Sequence, residues 1–322
     1  MRPFSESLKP RLGAIQCPVT LIVLVMVFSG CAWKADSMRP SKDPGNIVGD
    51  LEPGTILSGQ TGQPLSIETL MADLKTVTLV FVGESHPSST HHAVQLRIIE
   101  ALNRHHQGVA VALEMFSAPY QPVLEKWRNG GLDEPALLQK SHWYANWRFP
   151  FELYRDILIY VQYHRLPLYG INVPFHIPAK IAIGGIDSLL PDERTWLPKE
   201  IDTTNTAHRE YVQKIFQNHQ IKGREDFEHF YEAQCVWEDG MASAIAANLA
   251  DRPMVVLAGN GHIVQKFGIP DRAARRTGAD YRTVYLVDAG GRARLGDGDY
   301  IWITERTAHP VMGKATLKKK QD

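Results

Sequence analysis

Only three cysteines occur in the 322 residues, at positions 17, 31 and 235, with neither a CxxC pair nor a CxxCH haem-attachment motif. That excludes a disulfide framework and a covalently attached haem. No excess of one charge exists either: 35 Lys and Arg face 35 Asp and Glu. Without a basic footprint or a common nucleic-acid motif, nucleic acid is not an expected partner. Neither GxGxxG nor a P-loop is present, which implies no nucleotide cofactor. GxSxG and HExxH are missing too. No apolar run approaches the roughly 20 residues of a membrane-spanning helix. What remains, 44% hydrophobic and 22% charged, is ordinary globular composition without an internal repeat. Disorder, collagen and low complexity are excluded.

The first thirty residues read as a secretory signal peptide. Arg2, Lys9 and Arg11 outweigh Glu6, a mainly apolar run from Val19 to Phe28 follows, and Ser29-Gly30 precede Cys31. Phe28-Ser29-Gly30-Cys31 resembles the lipobox of bacterial lipoproteins, with Phe28 in place of the usual Leu. The resemblance implies cleavage before Cys31 and lipidation of its sulfur and new amine, and paired acyl chains anchor a soluble domain stably. Ala32 is not the Asp that retains such lipoproteins at the inner membrane, which favours the outer membrane, facing the periplasm or the surface. Cys17 leaves with the leader, so Cys235 has no intrachain partner and no disulfide is expected. Residues 31–50 form a flexible tether and 307–322 a basic C-terminal tail.

Beyond the tether, apolar β-rich runs alternate with helical periodicity. Strands are expected at 76–82, 109–113, 166–173, 253–258, 282–287 and 300–304, and helices at 88–106, 120–128, 151–164 and 226–249. Such alternation predicts βαβ units, hence an α/β fold with a mostly parallel β-sheet flanked by helices. The α/β domain takes 51–177 and 230–306. The stretch 178–229 is too long for one crossover and reads as an inserted, smaller all-helical subdomain.

Ligands of parallel sheets bind beyond the carboxyl ends of the strands. Three such ends are polar here: Gly83-Glu84-Ser85-His86 with His91 and His92 one turn on, Leu113-Glu114-Met115, and Gly259-Asn260-Gly261-His262. Glu84, His86, Glu114 and His262 are therefore expected to converge. Two carboxylates and two imidazoles suit a divalent metal or acid–base chemistry; they equally suit loop hydrogen bonds and helix caps.

These residues also carry a family resemblance. Val82-Gly83-Glu84-Ser85-His86 with His91, His92 and Gln95, Leu113-Glu114-Met115-Phe116, Ile171-Asn172-Val173-Pro174, Tyr231-Glu232-Ala233-Gln234, Asp239 through Ala242, Ala258-Gly259-Asn260-Gly261-His262 and Gly268-Ile269-Pro270 resemble, in order, the ChaN family of haem-binding lipoproteins in the Tiki superfamily. The resemblance implies haem-iron uptake at the outer membrane. It also implies ferric haem at a homodimer interface, a tyrosine on iron, His and Lys on the propionates, and an outer-membrane haem receptor as a further partner. Tyrosinate is a haem ligand in catalase as well.

The expected iron ligand is Tyr211 or Tyr231. Lys214, His219 and His208 are the propionate candidates, since Tyr211 shares a helix face with Lys214 and with His208. The alternative class is a metal-dependent hydrolase, peptidase-like or esterase-like, using Glu84, His86, Glu114 and His262 around a divalent metal. An enzyme is the less favoured of the two readings.

Overall fold

The computed structural model describes residues 46–48 (backbone only), 51–218 and 223–306. Cys31, His219 and the tail lie outside them. Among the described residues no helix is long and apolar enough to cross a membrane.

The chain opens with short strands β1 (Asn46–Val48), β2 (Ile56–Ser58) and β3 (Pro64–Leu65), then helix α1 (Ile67–Leu74). Strand β4 (Leu79–Glu84) leads into α2 (Ser89–His106), and β5 (Ala110–Ser117) into α3 (Gln121–Arg128). Helices α4 (Glu134–Lys140), α5 (Trp143–Asn146) and α6 (Arg155–Tyr163) precede β6 (Leu168–Asn172). Next come α7 (His176–Gly184), α8 (Thr206–Asn218) and the 22-residue α9 (Phe227–Asn248). Strand β7 (Met254–Gly259), α10 (Asn260–Ile263), α11 (Ile269–Thr277), β8 (Tyr281–Asp288), β9 (Arg292–Arg294) and β10 (Tyr300–Thr304) complete it.

One eight-stranded sheet has the order β3-β2-β10-β8-β4-β7-β5-β6, and β1 pairs separately with β9. From β10 to β6 all neighbours are parallel, and β2 and β3 are the antiparallel edge. This is the mostly parallel α/β sheet that the alternating pattern predicts. Leu79-Val80-Phe81-Val82 reads as a continuous apolar run because β4 is covered on both faces. Val80 and Val82 pack with α1, α2, α3 and α6, whereas Leu79 and Phe81 pack with Met241 and Ile245 of α9 and Ala273 of α11. Successive strand residues point to opposite faces, so one strand serves two cores.

Three positions limit what the sheet's two outer strands offer a further strand. Pro64 of β3 has no N–H to offer. On β6 the Gln121 amide donates to Leu168 O at 2.8 Å and accepts from Gly170 N at 3.2 Å.

Strand β4 starts three residues later than the sequence pattern suggests. Thr76 is held by the end of α1, its N and Oγ1 both donating to Asp73 O. The stretch 178–229 is helical only towards its ends. Between Gly185 and Asn205 there are two single 3-10 turns, Ile186–Ser188 and Glu193–Trp196, each followed within three residues by a proline, Pro191 or Pro198, and then chain without regular secondary structure. Its apolar side, Ile177, Ile181, Ala182 and Leu189, packs on Ala233 and Val236 of α9. Helix α9 begins where Asp226 caps it, its carboxylate accepting from His229 N at 3.1 Å. Gly240 lets α9 approach β6: a Cβ there would lie 2.3 Å from Val173 Cγ1.

Candidate functional site

Strand ends set the geometry. Connections from β4 and β5 run to helices α2 and α3 on one face of the sheet, whereas β7, lying between them, connects to α10 and α11 on the other. Neighbouring strands whose connections leave on opposite faces open a crevice at their carboxyl ends, where open α/β sheets bind ligands. Glu84 ends β4, Glu114 lies in the last half of β5, and His262 follows β7 by one turn. The expected convergence of these residues with His86 is observed.

Glu84 is buried and accepts hydrogen bonds from His86 Nδ1 at 2.8 Å, Gln95 Nε2 at 2.9 Å and the Tyr154 hydroxyl at 2.6 Å. His92 Nε2 stands 3.3 Å away. Burial opposes its charge, but the imidazoles of His92 and His86 hold its carboxyl well below the ordinary range. Burial and the adjoining Glu84 carboxylate push the Tyr154 phenol well up, so it stays a proton donor.

His86 is 15% exposed in its side chain and stacks edge-on against Trp147, with Phe149 beside it. Burial lowers its pKa and the Glu84 hydrogen bond and Glu114 charge raise it, with a net rise. The ring lies over Gly259, where a Cβ would meet His86 Cε1 at 2.8 Å and Glu114 Oε2 at 3.6 Å. Glycine is therefore required at the point where imidazole and carboxylate meet.

Glu114 accepts from Gly259 N at 2.7 Å and faces His262 Nε2 at 3.5 Å. His262 Nδ1 lies 3.4 Å from Glu238 Oε1 on α9, and Trp237 covers the ring. Burial works against the His262 charge, but flanking by Glu114 and Glu238 prevails and its pKa is pushed up to about 10. Trp237 donates to Asn172 at the end of β6, and Asn172 donates to Glu114 O, so a fourth strand end braces the cluster. Among the described residues, no group of three or more His, Cys, Asp or Glu is disposed to hold a metal ion. The carboxylates instead pair with imidazoles, an arrangement suited to moving and holding protons.

Glu238 is the residue that sequence reasoning missed. Its Oε1 accepts from Gln234 and its Oε2 lies 3.1 Å from His208 Nε2 and 3.6 Å from Arg272 Nε. Arg272 also pairs with Asp239, which Arg276 reaches at 2.7 Å. The available signal was the polar trio Gln234, Glu238 and Asp239 interrupting the apolar middle of the helix, among Ala233, Cys235, Val236, Trp237 and Met241. Tyr154 carried no signal of its own.

The tyrosine candidates separate by position. Tyr231 is 1% exposed, its hydroxyl 3.2 Å from Asn205 O and 3.5 Å from His208 Nδ1, and burial pushes its pKa upward. His208, also 1% exposed, points inward at Glu238. Neither presents a polar atom to the surface. Tyr211 is half-buried, its ring packed between the cluster of Val264 and Tyr285 and that of Val212 and Tyr231. Lys214, one turn on, is exposed. His219 lies outside the described residues.

Sheet order and strand-end polar cluster together define an α/β protein of the doubly wound kind with a switch-point crevice. More particularly, the chain belongs to the haem-binding uptake family of the Tiki superfamily, ChaN, whose sequence pattern matches residues 70–273. A similar solved structure, described as cofacial haem binding to ChaN of Campylobacter jejuni, is 22% identical with a TM-score of 0.64. It covers 78% of this chain and 97% of that one, and the likeness shows the shared fold. An erythromycin esterase mutant in its open conformation is more distant, at 16% identity and a TM-score of 0.44 over 76% of this chain and 82% of that one. No curated protein matches the chain.

Proposed function

We propose that the protein binds ferric haem through Tyr211 at a homodimer interface and serves haem-iron uptake as a lipoprotein anchored by Cys31 at the outer membrane. Membership of the ChaN family supports haem as the cargo, and the solved relative's cofacial haem supports a paired arrangement. The position of Tyr211 carries the assignment: of the two candidate tyrosines it is the one on a helix surface, with Lys214 exposed three residues on. A phenolate is a hard anionic donor suited to ferric iron, and the Lys214 ammonium suits a propionate. Tyr231 and His208 serve packing and the α9 network, and His219 stands as a second propionate partner. The lipobox supports anchoring at the outer membrane in this reading, and a role in haem uptake would supply a haem receptor as partner.

Titration with hemin tests the assignment. Tyr211→Phe keeps the ring's packing and removes the donor atom, so the fold survives with a loss of about 1 kcal/mol or less. The absorption spectrum of tyrosinate-bound ferric haem should vanish in that variant and persist in Tyr231→Phe. The opposite pattern moves the ligand to Tyr231.

A further inference from the structure

The last turn of α7 and the chain that follows it take no part in the haem assignment. We propose that their exposed face docks on the bilayer that holds the lipid anchor, with Ile183, Leu190 and Trp196 entering the boundary between headgroups and acyl chains. This rests on the reading of Cys31 as a lipidated residue.

The geometry makes one patch of the three. They are 53%, 56% and 42% exposed, and no other stretch of that length among the described residues gathers three large exposed apolar side chains. Ile183 follows Lys180 by three residues on α7 and so shares its face. Trp196 follows Glu193 by three in a 3-10 turn, where such positions eclipse. The Lys180 ammonium donates to Glu193 Oε2 at 2.5 Å, and Leu190 N donates to the same oxygen at 2.7 Å. One carboxylate thus draws the three apolar side chains together.

The surroundings select the occupant. Charges bordering the patch are matched within it, Glu193 by Lys180 and Arg194 by Asp187 at 3.2 Å. The turns satisfy their own groups too, with the Ser188 hydroxyl donating to Gly185 O and the Thr195 hydroxyl to Asp192 O. Asp192, Lys199 and Glu200 are also exposed and mixed in sign, which gives a strongly charged partner nothing to complement. Three half-exposed side chains of this size offer roughly 300 Å² of apolar surface. That is well short of the about 800 Å² per partner of a standard protein interface. A patch too small to capture a free partner suffices when its target is already tethered nearby, because effective concentration then makes up for weak contact. Residues 31–50 span at most about 70 Å when fully extended. With Cys31 in the lipid, the bilayer therefore never leaves reach. Tryptophan is also a residue type that settles at membrane interfaces.

The test uses the lipidated full chain in vesicles of phosphatidylethanolamine and phosphatidylglycerol, with and without dibrominated phosphatidylcholine, whose bromines quench indole fluorescence at short range. Trp33, two residues from the anchor, is first removed as Trp33→Phe. Bromine should then quench part of the remaining emission, and that quenching should vanish when Trp196→Phe is added. It should be lost as well when Ile183→Asp and Leu190→Asp are added instead, two exposed positions whose change leaves the core alone. Flotation with the vesicles but no quenching overturns the proposal, as does quenching that persists without Trp196. Self-association of the haem-free chain that the same two aspartates abolish assigns the face to a second copy and overturns it likewise. A wild-type chain that fails to float counts against the anchor itself, and the docking face falls with it.

Discussion

His208 Nε2 lies 3.1 Å from Glu238 Oε2, while the other oxygen of that carboxylate faces His262 Nδ1 at 3.4 Å. One side chain of α9 thus fastens α8, which carries Tyr211, to the strand-end crevice. Arg272 approaches the same carboxylate at 3.6 Å, so the two imidazoles and the guanidinium share a single buried anion.

Removing that anion should be expensive. Glu238→Gln leaves Arg272 and His262 facing a neutral amide in a fully buried place, and breaking a buried ion pair by removing one partner costs about 3–5 kcal/mol. Urea unfolding should show a lower midpoint with an unchanged slope.

Stability should also fall at both ends of the pH scale. Glu84, Glu114 and Glu238 are held below their ordinary range, so their contribution is present above about 4.3 and is lost as pH falls through the depressed values. His262 has the opposite sign: its contribution is full below about 6.5 and is lost as pH rises through about 10. Both describe the same carboxylate–imidazole contacts, so the losses are alternatives at the two ends and do not add. The melting temperature measured between acid and alkaline pH should be highest near pH 5–6.5; a flat profile would contradict the paired geometry.

Haem should drive pairing. On the proposed interface of Tyr211 and Lys214, sedimentation velocity should show a monomer without hemin and a dimer with it. A monomer persisting at saturating hemin rejects the shared interface.

The anchor is tested independently of haem. Cys31→Ser should abolish incorporation of labelled palmitate and move the protein from the membrane fraction to the soluble one.

Much of the crevice was legible from residue type alone. Glu84, Glu114 and His262 stand at or within one turn of the carboxyl ends of apolar β runs, and any parallel sheet places such positions at one end. Glu238 was not legible, because its partners His208, His262 and Arg272 lie 24 to 34 positions away in the chain. No local pattern marks a helix carboxylate whose use is purely tertiary. The broken course of 185–205 was foreshadowed by Pro191 and Pro198, but a broadly helical reading of a long stretch overlooks such breaks. Tyr211 and Tyr231 look alike in sequence, and only packing tells the half-buried ring from the buried one.

The partly blocked borders of the sheet constrain how copies of this chain can meet. A neighbour seeking to extend the sheet finds Pro64, which cannot donate, on a two-residue strand at one margin, and at the other a β6 with two backbone groups already tied to Gln121. Growth by strand addition, the common route to fibrils and swapped assemblies, has little to template it. The pairing proposed here would then fall to helical surfaces, where a flat cargo held between two copies would decide whether they stay together.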